Sequence, residues 1–153
     1  MKTTSHRGAY VTLRADDSIA LVMKTRGPYL GCWDLPGGTL ETGESSADAM
    51  VREAREELDI AINDHRFLGE ETVCVRFRHG DGEEVELHHS GLLYEARLNA
   101  CVPLRQGGDG EDTAEARWFF RDEARKLSLT PFAARALGFP EKRDFRIPTP
   151  NPS

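Results

Sequence analysis

The chain has 153 residues, 39% of them hydrophobic and 30% charged, which is the composition of a single globular domain. Its formal net charge of -6 argues against nucleic acid as a partner, because nonspecific binding to phosphates needs clustered Lys and Arg. No apolar run approaches the roughly 20 residues that cross a bilayer, and the polar start lacks the apolar segment of a signal peptide. We therefore expect a cytoplasmic protein that has no membrane partner.

The first half of the chain predicts a β-hairpin followed by one long helix. Two apolar runs, at residues 9–13 and 19–23, flank a turn-forming Asp-Asp-Ser cluster. A loop rich in Gly and Pro then leads to a short extended segment at residues 33–35. Apolar residues next recur at helical spacing, which predicts a helix over 46–58 with Ser45 as its N-cap. The apolar stripe of this helix consists of Ala47, Met50, Val51, Ala54 and Leu58.

The second half predicts a long β-hairpin, a further strand and two short helices. The hairpin turn is Gly80-Asp81-Gly82, and Asp-Gly is a strong signal for such a turn. The succession of strands, a helix, more strands and more helices indicates a mixed α and β fold around a non-local sheet. The predicted elements are strands over 67–78, 85–98 and 117–120 and helices over 121–126 and 131–137.

The end of the chain differs in composition from the rest. From residue 140 onward several prolines and the lack of apolar periodicity predict an extended or disordered tail. We therefore divide the chain into a single domain at residues 1–139 and a tail at residues 140–153. Cys32, Cys74 and Cys101 have neither metal-ligand nor redox spacing, so they predict free thiols.

Three glutamates in the predicted helix share one of its faces. Glu53, Glu56 and Glu57 are spaced at zero, three and four residues, and the apolar stripe lies roughly 120° around the helix from them. Like charges this close repel each other, and hard cations such as Mg²⁺ commonly bridge carboxylates to phosphates. A solvent-exposed helix face with an Arg52–Glu56 ion pair explains the same pattern without any metal-binding or catalytic role.

The segment that leads into the helix favours the interpretation that these glutamates bind a cation. The string from Gly38 to Ile60 resembles the Nudix box, G-x5-E-x7-R-E-U-x-E-E-x-G-U with U an aliphatic residue. Asp59 stands where the box has its last glycine, and every other fixed position matches. Asp tolerates left-handed backbone better than most residues, so we expect a cost of about 1 kcal/mol and no lost metal ligand. The matching residues are Gly38, Glu44, Arg52, Glu53, Ala54, Glu56, Glu57 and Ile60.

The resemblance implies a fold, an activity and a cofactor. The fold is α+β, a Nudix-like α/β/α sandwich with a mixed central sheet and a loop–helix–loop catalytic motif. The activity is hydrolysis of a nucleoside diphosphate linked to another group, with Mg²⁺ or Mn²⁺ as cofactor. The implied metal ligands are the carboxylates of Glu53, Glu56 and Glu57 and the backbone carbonyl of Gly38.

The same resemblance implies roles for the remaining box residues. Arg52 would orient Glu44 or Glu56 through a charge-assisted hydrogen bond. With Glu53 and Glu56 it forms the expected catalytic set. Glu56 is the first choice of general base and Glu53 the second. The candidates outside the box are Glu111 and Glu115.

Substrate recognition is less defined by the sequence. Lys24 and Arg26 close the second strand beside the box loop, where they are expected to contact phosphate, although ordinary exposed charges fit equally well. Glu44 completes the expected substrate-binding set. Tyr29, Trp33 and Phe77 are candidates to stack on a base, but core packing is the commoner fate of Trp33 and Phe77. His88 and His89 are adjacent on a strand, so one should point inward and one outward.

Three functional hypotheses remain open at this point. The first is a hydrolase acting on a small-molecule nucleotide, with nucleoside triphosphates and their oxidised forms ranked ahead of ADP-ribose and dinucleoside polyphosphates. The second is a Nudix-like module that binds or senses a nucleotide without cleaving it. The third is an isomerase on the same fold that uses Cys32 as its acid. The sequence leaves a homodimer open.

Overall fold

The computed structural model describes residues 1–110 and 113–147 and contains a mixed sheet of eight strands within this part of the chain. The strands, numbered in chain order, are β1 Lys2–Ala15, β2 Ser18–Lys24, β3 Trp33–Asp34, β4 Gly37–Thr39, β5 Arg66–His79, β6 Glu84–Leu98, β7 Thr113–Phe120 and β8 Asp144–Ile147. The helices are α1 Ser46–Leu58, α2 Arg121–Ala124 and α3 Pro131–Leu137.

Strand β1 lies at the centre of the sheet. It runs parallel to β6 over its whole length, from Lys2 opposite Val85 to Ala15 opposite Leu98. On its other side it is antiparallel to β2 and to the short strand β4. The predicted β5–β6 hairpin is present, and β7 adds to β2 in the antiparallel sense. Strand β2 thus pairs with the carboxyl end of β1, while β4 brings the start of the box onto the middle of β1.

The sheet separates two hydrophobic cores. One core contains Val11 and Leu13 of β1 and packs against α1 through Met50 and Leu58. Tyr10, from the same strand, belongs to the other core, which includes residues of α3. This alternation follows from the two-residue period of a strand. Helices therefore cover both faces, which confirms the predicted α/β/α sandwich.

The bounds of α1 agree with the prediction because both caps are local signals. Ser45 accepts a hydrogen bond from the backbone N–H of Asp48 at 3.1 Å, as an N-cap does. Asp59 closes the helix in left-handed conformation, with φ 58° and ψ 41°. Its backbone N–H donates to the carbonyl of Arg55 at 3.0 Å, and the N–H of Ile60 donates to the carbonyl of Ala54 at 3.4 Å. Asp59 thus adopts the geometry that a glycine usually supplies at this position.

The buried face of α1 is rotated from the predicted stripe. Ala49 is fully buried, whereas Ala47 and Val51 are only partly buried. The main departure is Glu57, which is 1% exposed. The prediction placed all three carboxylates at the helix surface, and for Glu57 this is wrong. The Glu57 carboxylate is buried because it accepts a hydrogen bond from the backbone N–H of Gly37, in the loop before the helix.

Residues of the predicted tail take part in the sheet. β8 runs parallel to β5, with Phe145 opposite Phe77, and the Phe145 side chain is buried in the core. Residues 148–153 lie outside the described part of the chain. The division of the chain at residue 139 stays a prediction, but the strand shows that the segment beyond it packs against the domain.

Two general expectations about the chain can be compared with the structure. The three cysteines are free, with Cys32 buried and Cys74 and Cys101 exposed. Among the residues that the structure describes, no helix is long and apolar enough to cross a membrane.

Candidate active site

A cavity of about 720 Å³ opens where the box loop and α1 meet the sheet. This volume is ordinary for a small-molecule site. Strands β1, β2 and β6 form one side of the cavity, and the loop after β2 closes over it. Box residues form the other side. The matching box residues in the lining are Gly38, Arg52, Glu53 and Glu56, and Gly37, just before the box, lines it as well.

The two glycines of β4, Gly37 and Gly38, allow the loop to lie directly on β1. Gly37 has φ +150°, and a Cβ there would sit 2.1 Å from the carbonyl oxygen of Ala9, so no side chain fits. Its N–H donates to Oε1 of Glu57 at 2.8 Å. A Cβ on Gly38 would lie 2.9 Å from the carboxyl carbon of Glu53. The helix carboxylates are therefore packed against the loop backbone.

Arg52 is the hub of the box. It holds Glu44 with two hydrogen bonds, from Nε to Oε2 at 2.8 Å and from Nη2 to Oε1 at 3.0 Å. Its Nη1 donates to Glu53 at 2.9 Å and approaches Glu56 at 3.3 Å. Nη2 also donates to the carbonyl of Thr39 at 3.2 Å. One guanidinium thus ties the helix carboxylates to the loop that carries Gly38.

This arrangement sets the protonation of Glu44. The hydrogen bonds from Arg52 and from the backbone N–H of Glu41 lower the pKa of Glu44 to about 2. Both oxygens of the carboxylate are engaged in these bonds. Glu44 is absent from the residues that line the cavity. Glu44 therefore lies behind Arg52, outside the cavity, and its contact with substrate stays a prediction.

Glu53 and Glu57 form a pair of carboxylates at the inner end of the helix face. Burial raises the pKa of Glu53, against the hydrogen bond from Arg52, which lowers it. Burial also raises the pKa of Glu57 well above its usual value, and the nearby charge of Glu53 adds to this effect. Two partly desolvated carboxylates this close are costly as anions unless a cation offsets them.

Glu56 is the accessible carboxylate of the group. Its side chain is 48% exposed, compared with 15% for Glu53, and it lines the cavity. Its contact with Arg52 is the i,i+4 pair of the purely structural interpretation. The Arg52–Glu56 ion pair is therefore present. Arg52 also binds Glu44, Glu53 and the Thr39 carbonyl, whereas the arginine of a simple solvent-exposed pair would bind only its one partner.

The donors gathered here suit a hard divalent cation. Gly38, Glu53 and Glu56 line the cavity, whereas Glu57 is buried, accepts from the Gly37 N–H and is absent from the lining. Oxygen ligands of this kind are those that Mg²⁺ and Mn²⁺ prefer. Glu53 approaches Gly38 so closely that there is room only for hydrogen at the glycine.

The expected phosphate contacts lie at the cavity, whereas other candidates do not. Lys24 and Arg26 both line it. Glu115 is exposed on β7 and is absent from the lining, and Glu111 lies outside the described residues. Cys32 is buried but does not line the cavity, and burial raises its pKa, which leaves the isomerase hypothesis without a placed acid.

The aromatic candidates separate into core and cavity residues. Trp33 is buried and packs edge-on against Phe119, with ring centroids 4.8 Å apart, as the core interpretation expected. Tyr29 and Phe77 line the cavity. His89 points inward to the cavity and is 2% exposed. Its neighbour His88 points to the outer face of the sheet, beside Cys74.

Several cavity residues had no signal in the sequence. Asp34 is buried and accepts hydrogen bonds from the Thr130 hydroxyl at 2.6 Å and the Leu35 N–H at 2.8 Å. Burial raises its pKa. Tyr10 and His6 line the cavity as well. These residues come from separate elements, so only the fold brings them together. Their types, a lone Asp, Tyr and His, are too common to stand out in a sequence.

Comparison with known proteins agrees with the box. The family described as NUDIX domain matches residues 4–138. The chain belongs to this family. It is 37% identical over 127 residues to a protein of Bacillus subtilis (strain 168) named "Uncharacterized Nudix hydrolase YvcI", covering 83% of this chain and 73% of that protein. Relatives that are named as Nudix hydrolases support the prediction that this chain is a Nudix pyrophosphohydrolase.

Other relatives of this Nudix chain bear on its fold and substrate. A crystal structure titled as a MutT NUDIX hydrolase from Burkholderia pseudomallei matches with a TM-score of 0.67 and 27% identity, covering 88% of this chain and 97% of that one. An "ADP-ribose pyrophosphatase" of Methanocaldococcus jannaschii is 37% identical over 57 residues, which are 37% of this chain and 34% of that protein. The solved structure agrees on the Nudix fold, and among these three names only that of the Methanocaldococcus jannaschii protein states a substrate.

Proposed function

We propose that this Nudix protein is a divalent-metal-dependent hydrolase that cleaves the diphosphate bond of a nucleotide. The observation that carries the proposal is the Arg52 hub. One guanidinium bonds to Glu44, Glu53 and the Thr39 carbonyl beside a cavity of nucleotide size. Such a hub fixes carboxylate positions to within the tolerance that catalysis needs.

The metal ligands in this proposal are Glu53, Glu56, Glu57 and the Gly38 carbonyl, with Mg²⁺ or Mn²⁺ as the ion. A bound divalent cation would neutralise charge on the phosphates and acidify a nearby water. The oxygen-only donor set and the charge crowding of Glu53 and Glu57 support this choice of cofactor.

The protein side chains carry the other steps. Glu56, the accessible carboxylate of the cavity, accepts the proton of the attacking water as general base. Arg52 holds Glu53 in place during the reaction. Lys24 and Arg26, on the facing side of the cavity, contact the phosphate oxygens and keep the scissile bond oriented.

Nucleoside triphosphates and their modified forms are the first substrate class that we propose. The described part of the chain forms one compact sandwich, and its cavity volume suits a single nucleotide. ADP-ribose is the second candidate. It is supported by the match to the Methanocaldococcus jannaschii ADP-ribose pyrophosphatase and by a structural neighbour, the NUDIX domain of Shewanella oneidensis NrtR, whose crystal structure is titled as a complex with ADP ribose.

The test is chromatographic analysis of the products from nucleoside triphosphates, ADP-ribose and dinucleoside polyphosphates with Mg²⁺ or Mn²⁺. For a triphosphate, phosphate measured with and without inorganic pyrophosphatase shows whether pyrophosphate and a nucleoside monophosphate, or phosphate and a nucleoside diphosphate, are formed. We expect turnover that EDTA abolishes and that Glu56→Gln reduces at least about 100-fold, as loss of a general base does. Glu70→Gln is the matched control, because Glu70 is similarly exposed and paired to Arg7 away from the cavity.

The outcome separates the hydrolase from the sensing module. Turnover that falls equally in both variants would remove Glu56 from the mechanism. Metal-dependent nucleotide binding without any turnover across the panel would contradict the hydrolase and favour the Nudix-like binding module.

A further inference from the structure

The cavity contains a buried polar network, formed by His89, Tyr10 and Tyr29, that the proposed chemistry does not use. His89 on β6 is 2% exposed and bonds through both ring nitrogens. Its Nε2 lies 2.8 Å from the Tyr10 hydroxyl, and its Nδ1 lies 2.8 Å from the Tyr29 hydroxyl. All three residues line the cavity. The network therefore forms part of the surface that a bound ligand meets.

Packing holds the three rings in place. The His89 ring lies 4.9 Å from the ring of Phe132 in an edge-to-face contact, and the Tyr29 ring stands edge-on to Phe145 at 5.1 Å. The Tyr10 hydroxyl lies 2.7 Å from where a Cβ on Gly8 would be. The side chains consequently have little freedom to choose other partners.

The protonation states of the network follow from its burial. Burial lowers the pKa of His89 to about 3, and the charges of His6 and Lys24 act in the same direction. Burial also raises the pKa values of Tyr10 and Tyr29. At neutral pH the network thus holds a neutral imidazole between two protonated phenols.

A neutral imidazole makes the two hydroxyls unequal. It has one N–H donor and one lone pair, so it donates to one tyrosine and accepts from the other. The tyrosine that receives the N–H still has its own proton to donate. The tyrosine that gives its proton to the ring can only accept. Towards the cavity the pair therefore offers one donor and one acceptor, and exchange of the imidazole tautomer reverses their order.

We propose that His89 is a positioning residue that sets Tyr10 and Tyr29 as a matched donor–acceptor pair for an uncharged, planar group of the substrate. This inference rests on the proposed function, because it concerns the part of the nucleotide that is not phosphate. The edge of a nucleobase, with a donor beside an acceptor, is the ligand chemistry that fits. Tyr29 and Phe77 line the same space and supply aromatic surface for such a ring.

The Tyr10 and Tyr29 hydroxyls disfavour direct contact with a phosphate group. Phosphate oxygens are acceptors only, so two of them would need two outward donors, which a neutral His89 does not allow. Lys24, Arg26 and the carboxylate face provide the cationic and metal-binding positions instead.

The experiment compares binding of nucleoside monophosphates with binding of inorganic phosphate, by calorimetry in Mg²⁺. Monophosphates contain no diphosphate bond, so they stay intact. We expect Tyr10→Phe and Tyr29→Phe each to weaken monophosphate binding about three- to tenfold, the effect of one lost hydrogen bond, and to leave phosphate binding unchanged. Tyr94→Phe is the matched control, because Tyr94 is buried in the other core and its hydroxyl bonds to Ser46.

Two His89 variants distinguish positioning from simple packing. His89→Gln retains one donor and one acceptor, so it should keep the preference for monophosphate over inorganic phosphate better than His89→Leu. With a substrate that turns over, the tyrosine variants should raise KM by the same factor and leave kcat within about twofold, the signature of a binding contact.

The possible results are all decisive. Equal loss of phosphate and monophosphate binding would make the network structural and overturn the inference. Variants that behave like Tyr94→Phe, or a wild-type chain without preference for monophosphate, would also overturn it. Absent hydrolysis with an intact, tyrosine-dependent monophosphate preference would instead contradict the proposed function alone.

Discussion

The Arg52 guanidinium binds the Glu44 carboxylate through two parallel hydrogen bonds, at 2.8 and 3.0 Å. The bond joins the middle of α1 to the loop before it, eight residues earlier in the chain. Because the remaining nitrogen of Arg52 reaches Glu53, this one ion pair sets the distance between the loop and the helix face. Planar two-point recognition of this kind is particular to arginine.

Arg52→Lys should therefore impair catalysis more than folding. A lysine keeps the charge but cannot bond to Glu44 at two points while reaching Glu53 and Thr39. Displacement of the carboxylates by about 1 Å is expected to lower kcat about 100-fold. The measurement is kcat with the best substrate, alongside a thermal melt.

The matched control for this change is Arg55→Lys. Arg55 is exposed on the same helix and pairs only loosely with Asp59, at 3.6 Å. We expect wild-type kcat for Arg55→Lys. Equal activity of the two lysine variants would mean that Arg52 supplies only charge.

Gly38 provides a change that separates activity from stability. A Cβ there would press on the carboxyl end of Glu53, a flexible side chain that can move away. Gly38→Ala should therefore stay folded, while its affinity for Mn²⁺ and its kcat/KM fall about tenfold or more, since a displaced ligand loses its geometry. Titration of Mn²⁺ by calorimetry or paramagnetic relaxation measures the first quantity.

The neighbouring glycine gives the opposite expectation. A Cβ on Gly37 would meet the carbonyl oxygen of Ala9 at 2.1 Å, and backbone cannot move away cheaply. Gly37→Ala should destabilise the fold by about 3 kcal/mol, at the upper end for overpacking.

A Gly38→Ala protein that binds Mn²⁺ as tightly as the wild type would disprove the close approach of Glu53 to Gly38.

Helix α1 shows which parts of the structure the sequence could predict. Its start at Ser46, its end at Leu58 and the left-handed Asp59 were all foreseeable, because caps and helical periodicity depend on residues within one or two turns. The Glu53 and Glu56 positions facing the cavity follow from the same helical geometry.

Long-range contacts account for what the sequence did not predict. The bonds from His89 to Tyr10 and Tyr29 span 79 and 60 residues, and nothing local encodes them. Burial of Glu57 depends on the Gly37 N–H that lies 20 residues away. Strand β8 has only four residues, too few for its alternation to stand out beside the prolines around it.

The neutral state of His89 predicts a pH dependence of stability. Its pKa is about 3 in the folded chain, whereas an exposed histidine has a pKa of about 6.5. Between these values only the unfolded chain binds the proton. The free energy of unfolding should thus fall as pH drops from 6.5 towards 3, by up to about 1.4 kcal/mol per pH unit from this residue.

The comparison with His89→Gln isolates that contribution, because other titrating groups are present in both proteins. Those facing His89 are His6, Lys24, Tyr10 and Tyr29. Urea denaturation at several pH values between 4 and 7 should give a steeper decline for the wild type than for the variant. Parallel curves would mean that His89 is protonated in the folded protein.

The last prediction concerns the end of the domain. Phe145 on β8 is 6% exposed and packs against the Tyr29 ring. If the segment after residue 139 belongs to the folded unit, Phe145→Ala should lower the free energy of unfolding by about 3 kcal/mol, as a buried Phe does. Urea denaturation measures the loss, which should appear in the midpoint and not in the slope.

Phe120→Ala is the control, because that ring is 57% exposed and should change stability by less than about 0.5 kcal/mol. Equal stability of the two variants would place the domain boundary at residue 139, whereas the expected difference would extend the domain through β8 and link the ordering of this strand to Tyr29 in the cavity.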